Sequence, residues 1–347
     1  MPELPEVEAA RRFMERVGVG RRIVEVVAVE QGTGPRSGLF DDKVICEESA
    51  SSFATRIQGR DICGARRKGK QLWLELDGVG LVVHNGMTGA LVAKGLAVPQ
   101  YKNAKFDDEE WPPKFAKLEL VLSDGTRICY CDSRRFGRVL LRDDPLQSPP
   151  ICDLAPDPVA ECPGKDVFAA KFAAKKCAIK AVLLDQKAVV CGVGNWMADE
   201  LLYLAGVHPA TIASELDDFQ VGRVRDALIE VCRVACDADA DAAKFPPSWL
   251  FHHRWANQTS GSKPSPLGQI HFATIGGRTT AFVPSKQKKM SPPPPPPPSP
   301  PPPPPSEGNQ ATPKRRPRSK NKRPRAPGVP KAAAADVVPR RTSPRRK

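Results

Sequence analysis

The sequence predicts an α+β chain: an N-terminal helix and a β-sandwich, then a helical segment closed by a β-hairpin, then a disordered tail. Three observations carry this. Residues 3–17 (ELPEVEAARRFMERV) repeat apolar side chains at helical spacing: Val7, Ala10, Phe13/Met14 and Val17. Between residues 22 and 142 the pattern changes to short β-type runs, with Asp-Gly turns at 77–78 and 124–125. From Lys286 onward, proline runs and basic clusters replace apolar periodicity.

Taken in order, the first helix carries acids in its first turn and arginines later, which suits the helix dipole. The runs RIVEVVAVE, QLWLELDG, LVVHNG, KLELVLSDG, TRICYCD and RVLLR follow Gly20, and several short strands after one helix suggest a sandwich. A Pro-rich stretch at 145–165 marks a boundary. Helical patterns follow at 166–175, 179–185, 195–205 (ending at Gly206) and 214–236, the last opening with Ser214 as its N-cap. After FPPSW, the pieces GQIHFAT and RTTAFVP are joined by Ile275-Gly276-Gly277, a hairpin with Arg278 just past its turn. The run at 291–306 reads as a polyproline II spacer, and the tract at 311–327 (ATPKRRPRSKNKRPRAP) as a solvated basic run, a nuclear-import signal or a DNA tether.

Charge is divided unevenly. Residues 286–347 hold 17 Lys and Arg against two acids, a net of +15, so in a chain of +14 the first 285 residues sum to −1. Overall basicity therefore belongs to the tail, and any anion-binding groove in the folded part must come from local clustering. The ten cysteines form no CxxC pair, and Cys129 and Cys131 would share one strand face. With no apolar segment long enough to span a bilayer and no secretory leader pattern, the expectation is an intracellular protein with reduced thiols, not membrane-bound.

Pro2 is the first residue with chemistry to offer. Trimming of Met1 would leave a secondary amine that titrates near neutrality and can attack a sugar C1′ to form an iminium. Proline is equally at home starting a helix. Glu3 beside it could donate a proton to an opening sugar ring, or could simply complement the helix dipole. Gly192-x-Gly194-Asn195 precedes a helix, where free amides bind phosphate and Asn195 adds a donor; capping and turn geometry explain the same residues. Arg134-Arg135 beside Gly137 suits phosphate or base contacts. His84, at a strand end, is a structural histidine or a DNA contact.

Met-Pro-Glu-Leu-Pro-Glu-Val-Glu at the start resembles the formamidopyrimidine-DNA glycosylases. The likeness continues in order through 66–72 (RRKGKQL), 84–89 (HNGMTG), 132–137 (DSRRFG), 175–180 (KKCAIK), 192–195 (GVGN) and 277–280 (GRTT). It covers residues 1–285 and leaves the tail outside. The resemblance implies a catalytic domain over 1–145, a helix-two-turn-helix domain over 146–243 and a finger over 244–285, while composition assigns 286–347 to the disordered tail.

The resemblance also implies roles. Pro2 would be the Schiff-base nucleophile, Glu3 the acid at the sugar, and Lys70 the lysine serving β-elimination. Arg278 would be the finger arginine that grips phosphates and assists the second elimination. Met87, Arg134 and Phe136 would fill the gap left by an extruded nucleotide, unless Met87 and Phe136 are core residues at strand ends. Lys175 and Asn195 would complete the DNA contacts.

The chain departs from the bacterial pattern in the finger, where four cysteines bind zinc. Residues 244–285 hold no cysteine, and His252, His253 and His271 lack thiolate partners at zinc spacing, so a zincless finger packed through Ile270, Phe272 and Phe282 is expected. Phe115 and Lys117 occupy the stretch where bacterial members carry histidines, and the segment between the 214–236 helix and the finger is short. Activity on formamidopyrimidines and over-oxidised guanines, more than on 8-oxoguanine, is the corresponding expectation.

The function implied is a bifunctional glycosylase and abasic-site lyase of base excision repair. It would be a nuclear monomer acting on duplex DNA that contains oxidised bases or abasic sites, with no metal or other cofactor. An endonuclease-VIII-like enzyme for oxidised pyrimidines and a non-catalytic damaged-DNA-binding protein are the alternatives.

Overall fold

The first helix, α1 (Leu4–Gly18), opens with a reciprocal capping box in which the Glu3 side chain accepts an amide of the first turn and Glu6 reaches back to the Glu3 amide. Its buried stripe, Val7, Ala10, Phe13, Met14 and Val17, joins a core shared with the strands that follow. The computed structural model describes residues 2–33, 35–96, 111–255 and 260–288, which fall within one compact unit. The polyproline run and the basic tract lie outside these residues.

Eight strands build two four-stranded sheets: β1 (Ile23–Val27), β2 (Ile62–Lys68), β3 (Gln71–Leu76), β4 (Val79–His84), β5 (Ala90–Ala93), β6 (Ala116–Leu122), β7 (Arg127–Cys131) and β8 (Arg138–Arg142). Their orders are β1-β6-β7-β5 and β2-β3-β4-β8, with every ladder antiparallel. The expected sandwich is present, and its apolar faces meet in one cluster with α1. Both Asp-Gly pairs are hairpin turns, Gly78 and Gly125 having φ of 76° and 84°. Cys129 and Cys131 share a buried face with Ala90, Val92 and Ala116, as the period of two requires. Three elements here were not anticipated: helix α2 (Ala50–Ile57), capped by Ser49, and strands β2 and β5.

The helical part comprises α3 (Lys165–Ala173), α4 (Ile179–Leu184), α5 (Asn195–Ala205) and α6 (Asp218–Asp237). Gly206 ends α5 in the left-handed conformation at φ 66°. Ser214 is not the cap of α6. It lies in a separate 3-10 turn, and Asp217 caps the helix in a box with Gln220, because two acids and a glutamine at the right spacing outcompete the upstream serine.

The finger is a three-stranded sheet rather than a bare hairpin. Strands β9 (Gly261–Lys263), β10 (Ile270–Ile275) and β11 (Arg278–Phe282) run in the order β11-β10-β9. Ile270 and Phe272 pack on Tyr203 and Leu250 as expected, but Phe282 faces the other side and meets the His208 ring edge-on at 4.7 Å. The expected tail boundary at 286 also moves. The Gln287 side chain, 1% exposed, accepts from Val283 N–H and donates to the Val207 carbonyl, and Lys286 Nζ stands 3.8 Å from the centroid of the Tyr203 ring.

Candidate active site and DNA interface

The N-terminus is fixed against the turn before α5. Leu4 N–H donates to Gly192 O at 3.1 Å, and a Cβ on Gly192 or Gly194 would overlap Leu4 or Glu3 respectively. These glycines therefore serve close approach of the N-terminal segment. The Glu3 carboxylate accepts the Trp196 and Met197 amides at 2.9 and 3.0 Å. This corrects the expectation that the amides of this helix end await a phosphate: a protein carboxylate already holds two of them.

Glu6 lies beneath, accepting the Glu3 amide and Trp196 Nε1, both at 3.0 Å. Burial, then the neighbouring Glu3 charge, pushes Glu6 up to about 7. Burial likewise raises Glu3, against the opposing pull of Lys70 and of the two amides. A raised carboxyl retains its proton closer to neutrality and can donate it.

Lys70 occupies the two-residue turn between β2 and β3, with Gly69 at φ 58°. Its ammonium donates to Val193 O at 2.9 Å. Burial depresses the Lys70 pKa; Glu3 and Glu6 oppose this, while Arg278 adds to it. Lys70 thus feels both carboxylates and the finger arginine at once. Asp157 secures the turn by accepting Gly69 N–H at 2.6 Å and pairing with the buried Arg67, which also binds Glu8. His84, pushed down to about 4 by burial and then by Lys70, is a neutral imidazole at neutral pH.

A second group forms where the β4–β5 and β7–β8 loops touch. Gly86 lies so close to the Phe136–Gly137 backbone that a Cβ would collide with it. Asp132 ties the loops, accepting Thr88 Oγ1 at 2.6 Å and Gly137 N–H at 2.7 Å. Above this base Met87 is 37% and Phe136 51% exposed, with the Arg134 guanidinium 5.0 Å from the Phe136 ring centre. The exposure excludes the alternative that Met87 and Phe136 are core residues. Arg135, at φ 57°, is held by Asp41 through two 2.7 Å bonds; burial alone would raise Asp41, but Arg135 and Lys117 keep it below the usual carboxylate range.

Arg278 is exposed at the finger tip, after Gly276 and Gly277 with φ of 61° and 71°, and Gly276 lies against Ala181 of α4. Asn195 Nδ2 donates to Thr279 O at 3.0 Å. Lys175 lies partly exposed in the turn between α3 and α4. Sequence reasoning missed Glu6, Lys180, Asp199 and Arg254. Lys180 and Asp199 are completely buried and 2.5 Å apart, and Arg254 Nη2 joins Asp199 at 2.7 Å. Among the described residues no group of three His, Cys, Asp or Glu side chains could hold a metal ion, and no helix is long and apolar enough to cross a membrane.

Residues 1–139 match the family model of the formamidopyrimidine-DNA glycosylase N-terminal domain, and residues 154–246 match that of the formamidopyrimidine-DNA glycosylase H2TH domain. The chain is 44% identical over 290 residues to formamidopyrimidine-DNA glycosylase of Arabidopsis thaliana, covering 83% of this chain and 71% of that one. With the enzyme of the same name from Geobacter sulfurreducens it shares 31% over 299 residues, 83% of this chain and 100% of that one. Among solved structures, a MutM complex with DNA containing carbocyclic 8-oxo-G superposes with a TM-score of 0.66 at 27% identity. The Lactococcus lactis enzyme bound non-covalently to DNA with an abasic site gives 0.64 at 27%. Each of these two covers 83% of this chain and 100% of its own.

Proposed function

This chain belongs to the formamidopyrimidine-DNA glycosylase family, and on that premise we propose that it excises oxidised or ring-opened purines from duplex DNA and cleaves the strand at the resulting abasic site. It is a DNA glycosylase of base excision repair with abasic-site lyase activity. The observation that carries the residue assignment is the Glu3 carboxyl group, held by two α5 amides within the field of Lys70 and one residue from Pro2.

In this reading, removal of Met1 frees the Pro2 nitrogen. Its lone pair attacks C1′ of the extruded nucleoside, the base leaves with the glycosidic electron pair, and Glu3 protonates O4′ as the ring opens to a Pro2 iminium. Loss of a C2′ proton expels the 3′-phosphate, and loss of a C4′ proton expels the 5′-phosphate. Lys70, its pKa depressed, assists the first elimination, and Arg278 grips the flanking phosphates through the second. Met87, Arg134 and Phe136 occupy the vacated stack, their exposure on one rigid loop base supporting this. Lys175 and Asn195 are assigned to phosphates on the helical side, and the basic tract at 311–327 to nuclear import.

The test is a duplex carrying one formamidopyrimidine lesion, labelled at either end. A one-nucleotide gap with phosphate at both margins is expected; an intact strand, or an abasic site left uncut, would contradict the reading. Formamidopyrimidine excision should outrun 8-oxoguanine excision, and equal single-turnover rates would refute that preference.

A further inference from the structure

The free edge of β11 is covered by a helix instead of a strand, and the groups that cover it form a connected network. In the order β11-β10-β9, β11 pairs on one side only, leaving the outward Thr279 carbonyl and Ala281 amide unmatched by any strand among the described residues. Asn195 Nδ2 takes the first at 3.0 Å and Asp199 Oδ2 the second at 3.1 Å. Asn195 and Asp199 stand one helical turn apart on α5, a rise of about 6 Å. Alternate residues of a strand are spaced by about 6.6 Å, so one turn of helix matches two successive edge groups.

The same carboxylate binds two buried cations. Lys180 Nζ meets Asp199 Oδ1 at 2.5 Å, and Arg254 reaches Oδ2 through Nη2 at 2.7 Å. Lys180 also donates to Thr280 Oγ1 at 2.8 Å, whose hydroxyl donates on to the Arg278 carbonyl at 3.1 Å. A continuous path therefore runs from Asp199 through Lys180 and Thr280 to the backbone of Arg278. It ends in a finger segment whose sequence contains no cysteine.

We propose that Asp199 is a positioning residue for the reaction: by holding Lys180, Arg254 and the β11 edge, it sets the place of Arg278 at the flanking phosphates. The inference rests on the role given above to Arg278. A carboxylate that accepts from two side-chain cations and one amide is suited to this, because each bond constrains a different element: α4, the segment before β9, and β11.

The experiment is a double-mutant cycle on the full chain. Asp199→Asn and Arg278→Ala are measured singly and together, by single-turnover excision from a formamidopyrimidine duplex and by the ratio of δ- to β-elimination ends. Each single change is expected to lower excision by roughly 10- to 100-fold and shift the ends toward β-elimination, with the pair no more than about 2-fold worse than Arg278→Ala alone. Thr280→Val keeps the buried shape while cutting the path; it should reproduce the shift in ends in a protein that still folds, with its melting temperature lowered by the lost Lys180 bond, and it stands in if Asp199→Asn does not fold. Losses that multiply in the double variant, or unaltered ends in Thr280→Val, would overturn the proposal while leaving the function intact. An Arg278→Ala enzyme as active as the unmodified chain would instead remove the reading on which it rests.

Discussion

Glu3 accepts the Trp196 amide at 2.9 Å across 193 residues of sequence, so a side chain next to the N-terminus caps a helix of the second half of the fold. Gly194 makes this possible, for its Cα faces the Glu3 carboxyl group with no room for a methyl. Gly194→Ala is therefore expected to displace Glu3 by about an ångström and slow base excision by roughly 100-fold. Its backbone, at φ −120°, suits alanine, so the fold should survive. Circular dichroism beside single-turnover kinetics checks both halves; unchanged kinetics would deny Glu3 its role.

Glu6 ties stability to pH. Its folded value of about 7 lies above the ordinary 4.5, so the folded state holds the proton more tightly than the unfolded chain. That contribution is fully present below 4.5 and lost as pH rises through 7, by about 3 kcal/mol in all. Denaturant titrations at pH 5 and pH 8 should show this decline, and Glu6→Gln should flatten it. An equal slope in both proteins would contradict the assignment.

Met87 and Phe136 separate stability from activity. Because both are exposed, Met87→Ala and Phe136→Ala should change folding free energy by no more than about 0.5 kcal/mol. Excision from duplex DNA should fall by about 10- to 100-fold, since the unstacking cost is no longer offset, while cleavage of a single-stranded abasic site is spared. Equal losses on both substrates would remove the pair from the stack-filling role.

Much of this arrangement was legible in the chain. Helix α5 has punctuation at both ends, Gly194-Asn195 and Gly206, and α1 and the Asp-Gly hairpins declare themselves by period and turn chemistry. Helix α2 did not, because ASSFATRI buries only Phe53 and Ile57 and its serines read as loop. Strand β2 hid within the basic run ICGARRK, where Arg67 faces inward only because Asp157 and Glu8 await it. Lys180 and Asp199 escaped for the same reason: a charge on a short helix reads as solvated until a distant partner turns it inward. Met87 and Phe136, by contrast, could be placed in either role from sequence, and exposure decided between them.

The tail can be removed cleanly only beyond the packed Gln287, so truncation should follow Lys288. The shortened protein is expected to keep its single-turnover rate, show a shallower dependence of DNA affinity on salt, and accumulate less in nuclei. An unchanged salt slope would separate the basic tract from DNA binding.

The most direct test of the account is the covalent bond itself. Borohydride added to the protein and a formamidopyrimidine duplex should trap a protein–DNA adduct, and peptide mapping should place it on the Pro2 nitrogen. Pro2→Gly, or an N-terminal extension that blocks the amine, should abolish or sharply reduce trapping. An adduct mapped to a lysine, or trapping at full yield with the extension in place, would contradict the central claim.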